Sequence, residues 1–296
     1  MSFGLDVWEK MDARSVCANG LNFEVFEQGE GDRVALCLHG FPEHAISWRY
    51  QVPLLLKLGY RVWVPNLRGY GNTEAPKNIQ QYDLGVLVRD VEQLIEKSGA
   101  RELLLLAHDW GGALAWLVAM RRPELIDKLI MCNFPHPACF LRELRHPRQL
   151  LKSWYVLFFQ LPWLPELLYG ANRAYGISEA IRWTACDQSE FPTAVLDIYR
   201  ENAARPGRLT AMLNWYRGLF RGSGPKLKNS SFPQIEIPTM LLWGTADIAL
   251  SERTTVGTEE YVARLTLHKL PGVSHWVQQE AHPLVNQLIE DWLGDL

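Results

Sequence analysis

The period of apolar and polar positions changes repeatedly along the first third of the chain. "LNFEVFEQG" (21–29) alternates apolar with polar residues, as a strand with one wet face does. "VALCLHG" (34–40) and "RVWVPN" (61–66) are unbroken apolar runs ending in turn residues, which predicts parallel strands buried on both faces. Between them "SWRYQVPLLLKLG" (47–59) reads as a helix. "DLGVLVRDVEQLIEKSG" (83–99) places apolar residues three and four apart and closes on glycine, the pattern of an amphipathic helix with its terminator. "LLLLA" (103–107), a helix over 111–121 and "KLIMCN" (128–133) continue the alternation of strand and helix.

The alternation then stops. Residues 135–232 are rich in Trp, Tyr, Phe, Pro and Arg and carry helical patterns without a convincing strand. It resumes with "TMLLWG" (239–244), "LTLHKL" (265–270) and a last helix, "PLVNQLIEDWLGDL" (283–296). This predicts an α/β class: a mostly parallel, doubly wound sheet with an inserted helical cap. The expected division is 1–134 for the first part of the core, 135–232 for the cap and 233–296 for the second part. The insertion is too apolar and aromatic for a linker. Its place is expected over the C-terminal ends of the strands, where open α/β sheets bind ligands.

Composition narrows the function classes. A net charge of −3 over 296 residues gives no electrostatic case for binding nucleic acid or an anionic membrane surface. The longest apolar runs are strand-sized, so no membrane span is expected. "MSFGLDVWEKMDARS" carries charges of both signs and no apolar core of signal-peptide length, which makes a cytoplasmic location the expectation. The five cysteines are scattered, odd in number and without a C-x-x-C pair. Neither a zinc site nor a disulfide framework is expected from them, and no metal or cofactor is.

The chemistry centres on "LLLLAHDWGGALAW" (103–116), where Asp109 sits between a buried strand and a helix start. Ala107-His108-Asp109-Trp110-Gly111 has the form small-x-nucleophile-x-small of a sharp strand-to-helix turn. The helix N-terminus favours negative charge there. An Asp at that position also suits an ordinary helix N-cap, so the pentapeptide alone leaves both roles open. Asp247 in "LLWGTADIAL" and His275 in "LPGVSHWVQQE" each follow a late strand, and the order Asp109, Asp247, His275 is nucleophile, acid, base. Asn133, after the strand 128–133, lacks the carboxylate that would make that strand the source of the acid. "LHGFPE" (38–43) offers the backbone N–H of Phe41 as half of an oxyanion hole, with the N–H of Trp110 as the other half. His39 reads as a residue shaping the turn, and Arg68 and Tyr70 of "RGYGNTEAP" as structural.

An aspartate nucleophile moves the chemistry from acyl transfer to displacement at an sp³ carbon, through an alkyl-enzyme ester that a His-activated water then hydrolyses. Epoxides and alkyl halides both fit. An opening epoxide needs an acidic O–H for its oxygen, whereas a halide needs only N–H donors. The insertion offers Tyr155 in "SWYVLFFQLP" and Tyr216 in "LNWYRG".

Taken together, "HGFPE", "HDWGG", "FFQLP", "LNWYR" and "SHWVQQE" resemble the α/β-hydrolase-fold epoxide hydrolases over roughly residues 18–293. The resemblance implies an α/β-hydrolase fold and conversion of epoxides to vicinal diols. It implies Asp109 as nucleophile, Asp247 as acid, His275 as base, and Tyr155 and Tyr216 as the pair that binds and protonates the epoxide oxygen. Phe41, Trp110, Phe159 and Trp276 are the expected pocket walls. The expected partners are an apolar epoxide and water, with the chain a monomer or homodimer. Trp154, Phe158, Phe159, Trp163, Trp183 and Trp215 suit either an apolar pocket or the insertion's own core.

The alternatives are a haloalkane dehalogenase and a catalytically idle binding protein of the same fold. The dehalogenase's second halide donor is usually an Asn in the HG-x-P loop, where this chain has Phe41, which lacks a side-chain N–H. An idle protein tends to lose a triad member, and every candidate is present.

Overall fold

In the computed structural model, which describes residues 4–221 and 232–295, the apolar runs become the middle of one eight-stranded sheet. Its strands are β1 (Asp12–Ala18), β2 (Leu21–Gln28), β3 (Arg33–Leu38), β4 (Arg61–Pro65), β5 (Glu102–His108), β6 (Lys128–Cys132), β7 (Thr239–Gly244) and β8 (Leu265–Leu270). They lie in the order β1-β2-β4-β3-β5-β6-β7-β8. The pairs β1/β2 and β2/β4 are antiparallel and all the others parallel. β1 was not legible in the pattern because only Val16 and Ala18 of its seven residues are buried.

β3 and β5 are neighbours at the centre, in register from Arg33 opposite Glu102 to Leu38 opposite Ala107. From β3 the chain steps to β4 on one side, and β5 then returns to the other side. Such a reversal opens a crevice at the carboxyl ends of the two strands. The loops beginning at His39 and Asp109 both start there.

Helices cover the sheet. α1 (Leu5–Trp8) precedes it, and α2 (Gln51–Lys57), α3 (Leu84–Ser98) and α4 (Trp110–Arg121) connect its strands. α3 buries Leu87, Val88, Val91, Leu94 and Ile95 and ends at Gly99, whose φ of 67° is the left-handed terminator its sequence predicts. The single helix expected over 47–59 is split into a 3₁₀ turn, Ala45–Trp48, and α2. Pro53 explains the break: lacking an N–H, it suits only the first turn of a helix, so α2 begins two residues before it.

Between β6 and β7 the described chain is helical: α5 (Pro137–Glu143), α6 (Pro147–Lys152), α7 (Trp154–Phe158), α8 (Leu164–Thr184), α9 (Thr193–Ala204) and α10 (Arg208–Arg221). α8 is interrupted at 171–174 by non-helical residues, three of them with positive φ. The last part of the expected insertion, 222–231, lies outside the described residues. α11 (Val277–Glu280) and α12 (His282–Gly294) close the fold. Among the described residues no helix is long and apolar enough to cross a membrane.

Candidate active site

The turn between β5 and α4 is strained and tightly enclosed. Asp109 has φ 47° and ψ −119°, outside the regions a non-glycine residue favours, at a cost of about 1–3 kcal/mol. Glycines let three chain segments close around it. A Cβ on Gly40 would lie 2.4 Å from the Asp109 Cβ, one on Gly111 2.5 Å from the Leu38 carbonyl oxygen, and one on Gly112 2.7 Å from the Phe134 Cβ.

The Asp109 side chain makes no capping bond to α4, so the ordinary N-cap role is not the one it fills. Its Oδ1 instead accepts the backbone N–H of Phe41 at 2.8 Å, and its Oδ2 stands 3.5 Å from Nε2 of His275. Nδ1 of His275 is 2.6 Å from Oδ2 of Asp247. Asp247 is itself held at both oxygens. Oδ1 accepts the N–H groups of Ala249 and Leu250 at 2.7 and 2.9 Å, and Oδ2 accepts Nδ2 of Asn133 at 2.8 Å. The structure thus brings Asp109, His275 and Asp247 together from three loops.

The charges of this set follow from the contacts. Burial opposes every ion here, as it must. Around Asp109 the His275 ring and the Phe41 N–H outweigh burial and hold the carboxyl below its usual value. His275 and the donors around Asp247 do the same for that group. For His275, burial is overcome by the Asp247 charge and by hydrogen bonds to both carboxylates, which raise its pKa to about 10.

A further layer lies beneath. Nε2 of His108 is 3.0 Å from the His275 carbonyl oxygen, and its Nδ1 is 2.7 Å from Oε2 of Glu43. Both ring nitrogens thus face oxygen acceptors. Glu43 is wholly buried and also accepts from Gly40 N–H and from the amides of Gln278 and Gln279, at 2.8, 3.0 and 2.8 Å. Burial would raise its pKa, but the neighbouring His108 ring and the Gly40 N–H hold it low. His39 takes the structural place expected of it. Its Nε2 accepts the Leu67 N–H at 3.0 Å, and burial lowers its pKa to about 4. Phe41–Pro42 is a cis peptide. Arg68 is spent on a buried two-pronged pair with Asp90, at 2.7 and 2.6 Å.

A cavity of about 430 Å³ opens in front of Asp109 and His275. Tyr155 and Tyr216 border it together with Phe41, Phe159 and Trp276. The two tyrosine rings are 6.0 Å apart at 80°. Burial, and then the Asp109 charge, push both phenols above their ordinary pKa, while a hydrogen bond with Trp110 pulls the other way on Tyr216. Both are therefore O–H donors at neutral pH.

Trp110 departs from its expected place in the pocket wall. It does not border the cavity but stands edge-on behind Tyr216 at 5.2 Å and beside Trp215 at 5.5 Å. It opens α4, so its ring follows the helix rather than the crevice. Trp154, Trp163 and Trp183 depart further, at 60%, 70% and 78% exposed, though Trp154 still touches the cavity's edge. Glu43, His108 and Lys152 were not singled out in the sequence, and Asn133 was noted only as lacking the carboxylate of an acid. The first two stand inside the quoted motifs "HGFPE" and "HDWGG", the one signal that could have found them. Lys152 borders the cavity and donates from Nζ to the Asp247 carbonyl oxygen at 2.5 Å.

Comparison with known proteins follows the same lines. A family model described as the alpha/beta hydrolase fold matches residues 34–281. "Epoxide hydrolase 4" of Homo sapiens is 40% identical over 290 residues, covering 94% of this chain and 77% of that protein. "Epoxide hydrolase 3" of Xenopus tropicalis is 35% identical over 287 residues, covering 94% of this chain and 76% of that protein. A solved epoxide hydrolase of Bacillus megaterium, in complex with an inhibitor, superposes with a TM-score of 0.86 at 29% identity, covering 95% of this chain and 100% of that one.

Proposed function

The chain belongs to the α/β-hydrolase fold family and, within it, to the epoxide hydrolases, and from that premise we propose that it converts an apolar epoxide to a vicinal diol in two steps on Asp109. Residues 135–232 act in this reading as the cap that carries the acidic pair over the nucleophile.

In the first step Oδ2 of Asp109 attacks one epoxide carbon. The C–O bond breaks, and Tyr155 or Tyr216 gives its proton to the departing oxygen. The timing favours this. The Asp109 charge raises both phenols at rest, and ester formation removes that charge as the epoxide oxygen needs a proton. The tyrosinate left behind is reprotonated from the His275 imidazolium. Esterification helps here too, because His275 loses one of the two carboxylate charges that raise its pKa.

In the second step neutral His275, oriented by Asp247, takes a proton from water. The hydroxide attacks the ester carbonyl carbon of Asp109. The developing oxyanion is Oδ1, which already accepts the Phe41 N–H, with the Trp110 N–H as the second donor. Collapse expels the diol oxygen, which regains a proton from His275, and the carboxylic acid left on Asp109 then passes its proton to His275, restoring the carboxylate and the imidazolium.

The observation that carries the reading is the tyrosine pair in the same cavity as Asp109 and His275. It also favours epoxides over haloalkanes, since a leaving halide needs no proton. A panel of apolar epoxides and haloalkanes, assayed for diol and for halide, tests it. Diol from epoxides without halide release is expected, and halide release without diol would overturn it.

A further inference from the structure

The surface around the cavity mouth inverts the usual pattern of a surface helix, which turns polar residues to water. Leu150, Trp154, Leu157 and Leu161 follow at spacings of four, three and four along α6, α7 and the next turn, and all four are exposed. The opposite side of the same segment carries buried Gln149 and Phe159, so the segment faces water with its apolar stripe by construction. Leu151, 73% exposed, and Trp154 also border the cavity, which therefore opens within the stripe. On the other side of the mouth Ala180 and Thr184 of α8 line the cavity, and Trp183 beside them is exposed. An exposed apolar patch of this extent marks an interaction surface.

Charge identifies the partner. The chain-wide net charge of −3 conceals a local excess of the other sign. Residues 145–165 hold Arg145, Arg148 and Lys152 and no Asp or Glu. Arg145 and Arg148 are exposed, and none of the three forms a salt bridge among the described residues. The nearest acids along the chain are already engaged: Glu143 with Arg142 and Arg253, and Glu166 with Arg217. Leu and Trp on one side of a short helical segment, with Arg and Lys at its edge, are the composition that lies in an anionic lipid interface.

We propose that the face formed by α6, α7 and the turn after them docks on anionic phospholipid bilayers and sets the cavity mouth against the acyl chains. An apolar substrate then reaches Asp109 from the bilayer without crossing water; this last clause rests on the epoxide reading, whereas the docking does not. It also revises the expectation from net charge, which averages over surfaces that never meet the same partner.

The test is co-flotation of the full chain with vesicles of phosphatidylcholine alone or mixed with phosphatidylglycerol. Binding to the mixed vesicles, and much weaker binding to the neutral ones, is expected. Leu150→Ser with Leu157→Ser should lower the partition coefficient about tenfold per side chain while leaving the thermal midpoint unchanged, since neither residue is buried. Arg145→Gln with Arg148→Gln should lower it about fivefold per charge on the mixed vesicles only. Absence of binding to the mixed vesicles would overturn the proposal, as would binding that neither variant changes. So would a stable dimer of the native chain that the leucine variant dissociates, because the face would then be covered by a second copy.

Discussion

The backbone N–H of Phe41 donates to Oδ1 of Asp109 at 2.8 Å and leaves Oδ2 facing His275. The two oxygens of one carboxylate are thereby given different futures. In the proposed mechanism the tethered oxygen becomes the carbonyl oxygen of the ester, because turning it to attack would break its hydrogen bond to Phe41. In that mechanism the other oxygen is the one that attacks. The loop that supplies the N–H comes from β3 and the carboxylate from β5, so the central pairing of the sheet sets the distance between them.

The tyrosines are expected to act on the opening step alone. Tyr155→Phe and Tyr216→Phe should each slow formation of the alkyl-enzyme, and the double variant should slow it about 10²–10⁴-fold, the usual worth of a positioned acid. Rapid-quench measurement of the alkylation rate checks this. A double variant that alkylates at the native rate would remove the proton-donor role.

Stability should carry the signature of His275. Its pKa rises from 6.5 to about 10 on folding, so the folded state binds this proton more tightly than the unfolded chain. The stabilisation is complete below pH 6.5 and is lost as pH rises through about 10. Thermal midpoints of the native chain and of His275→Gln, measured across that window, should draw closer as pH rises. A gap that widens toward pH 10 would contradict the charge assignment.

Glu43→Gln tests the layer beneath the triad. The substitution keeps the size but puts an amide N–H₂ where only donors point, toward His108, Gly40, Gln278 and Gln279. One or two buried groups are left without a partner, at roughly 1–3 kcal/mol each. Denaturant unfolding should show that loss. Because His108 also holds the His275 carbonyl, kcat should fall with little change in KM. Native kcat in a destabilised variant would make Glu43 a purely structural residue.

The legible parts of this protein are those whose burial is decided locally. β3, β4 and β5 are covered on both faces and so read as apolar runs, and α3 buries one stripe and so reads as a period. β1 is an edge strand that turns Asp12, Arg14, Ser15 and Cys17 to water, which leaves no pattern to read. The same division holds in the site. Asp109, Asp247 and His275 each follow a strand end, a position a sequence shows. Glu43, His108 and Asn133 matter through partners 65, 167 and 114 residues away, such as the His108 bond to the His275 carbonyl, and nothing local to them records those bonds. The exposed tryptophans of α7 and α8 were open to two readings for a related reason: composition counts aromatic residues but not the side of the helix they occupy.

The central claim is a covalent bond between substrate and Asp109, and one variant makes it visible. In His275→Gln the first step retains its nucleophile and its tyrosines, while the second loses its base. Incubation with an apolar epoxide that the native chain hydrolyses, followed by mass spectrometry of the digested protein, should show the peptide carrying Asp109 heavier by the mass of one epoxide. An unmodified Asp109 peptide, in a variant that still consumes the epoxide, would contradict the account.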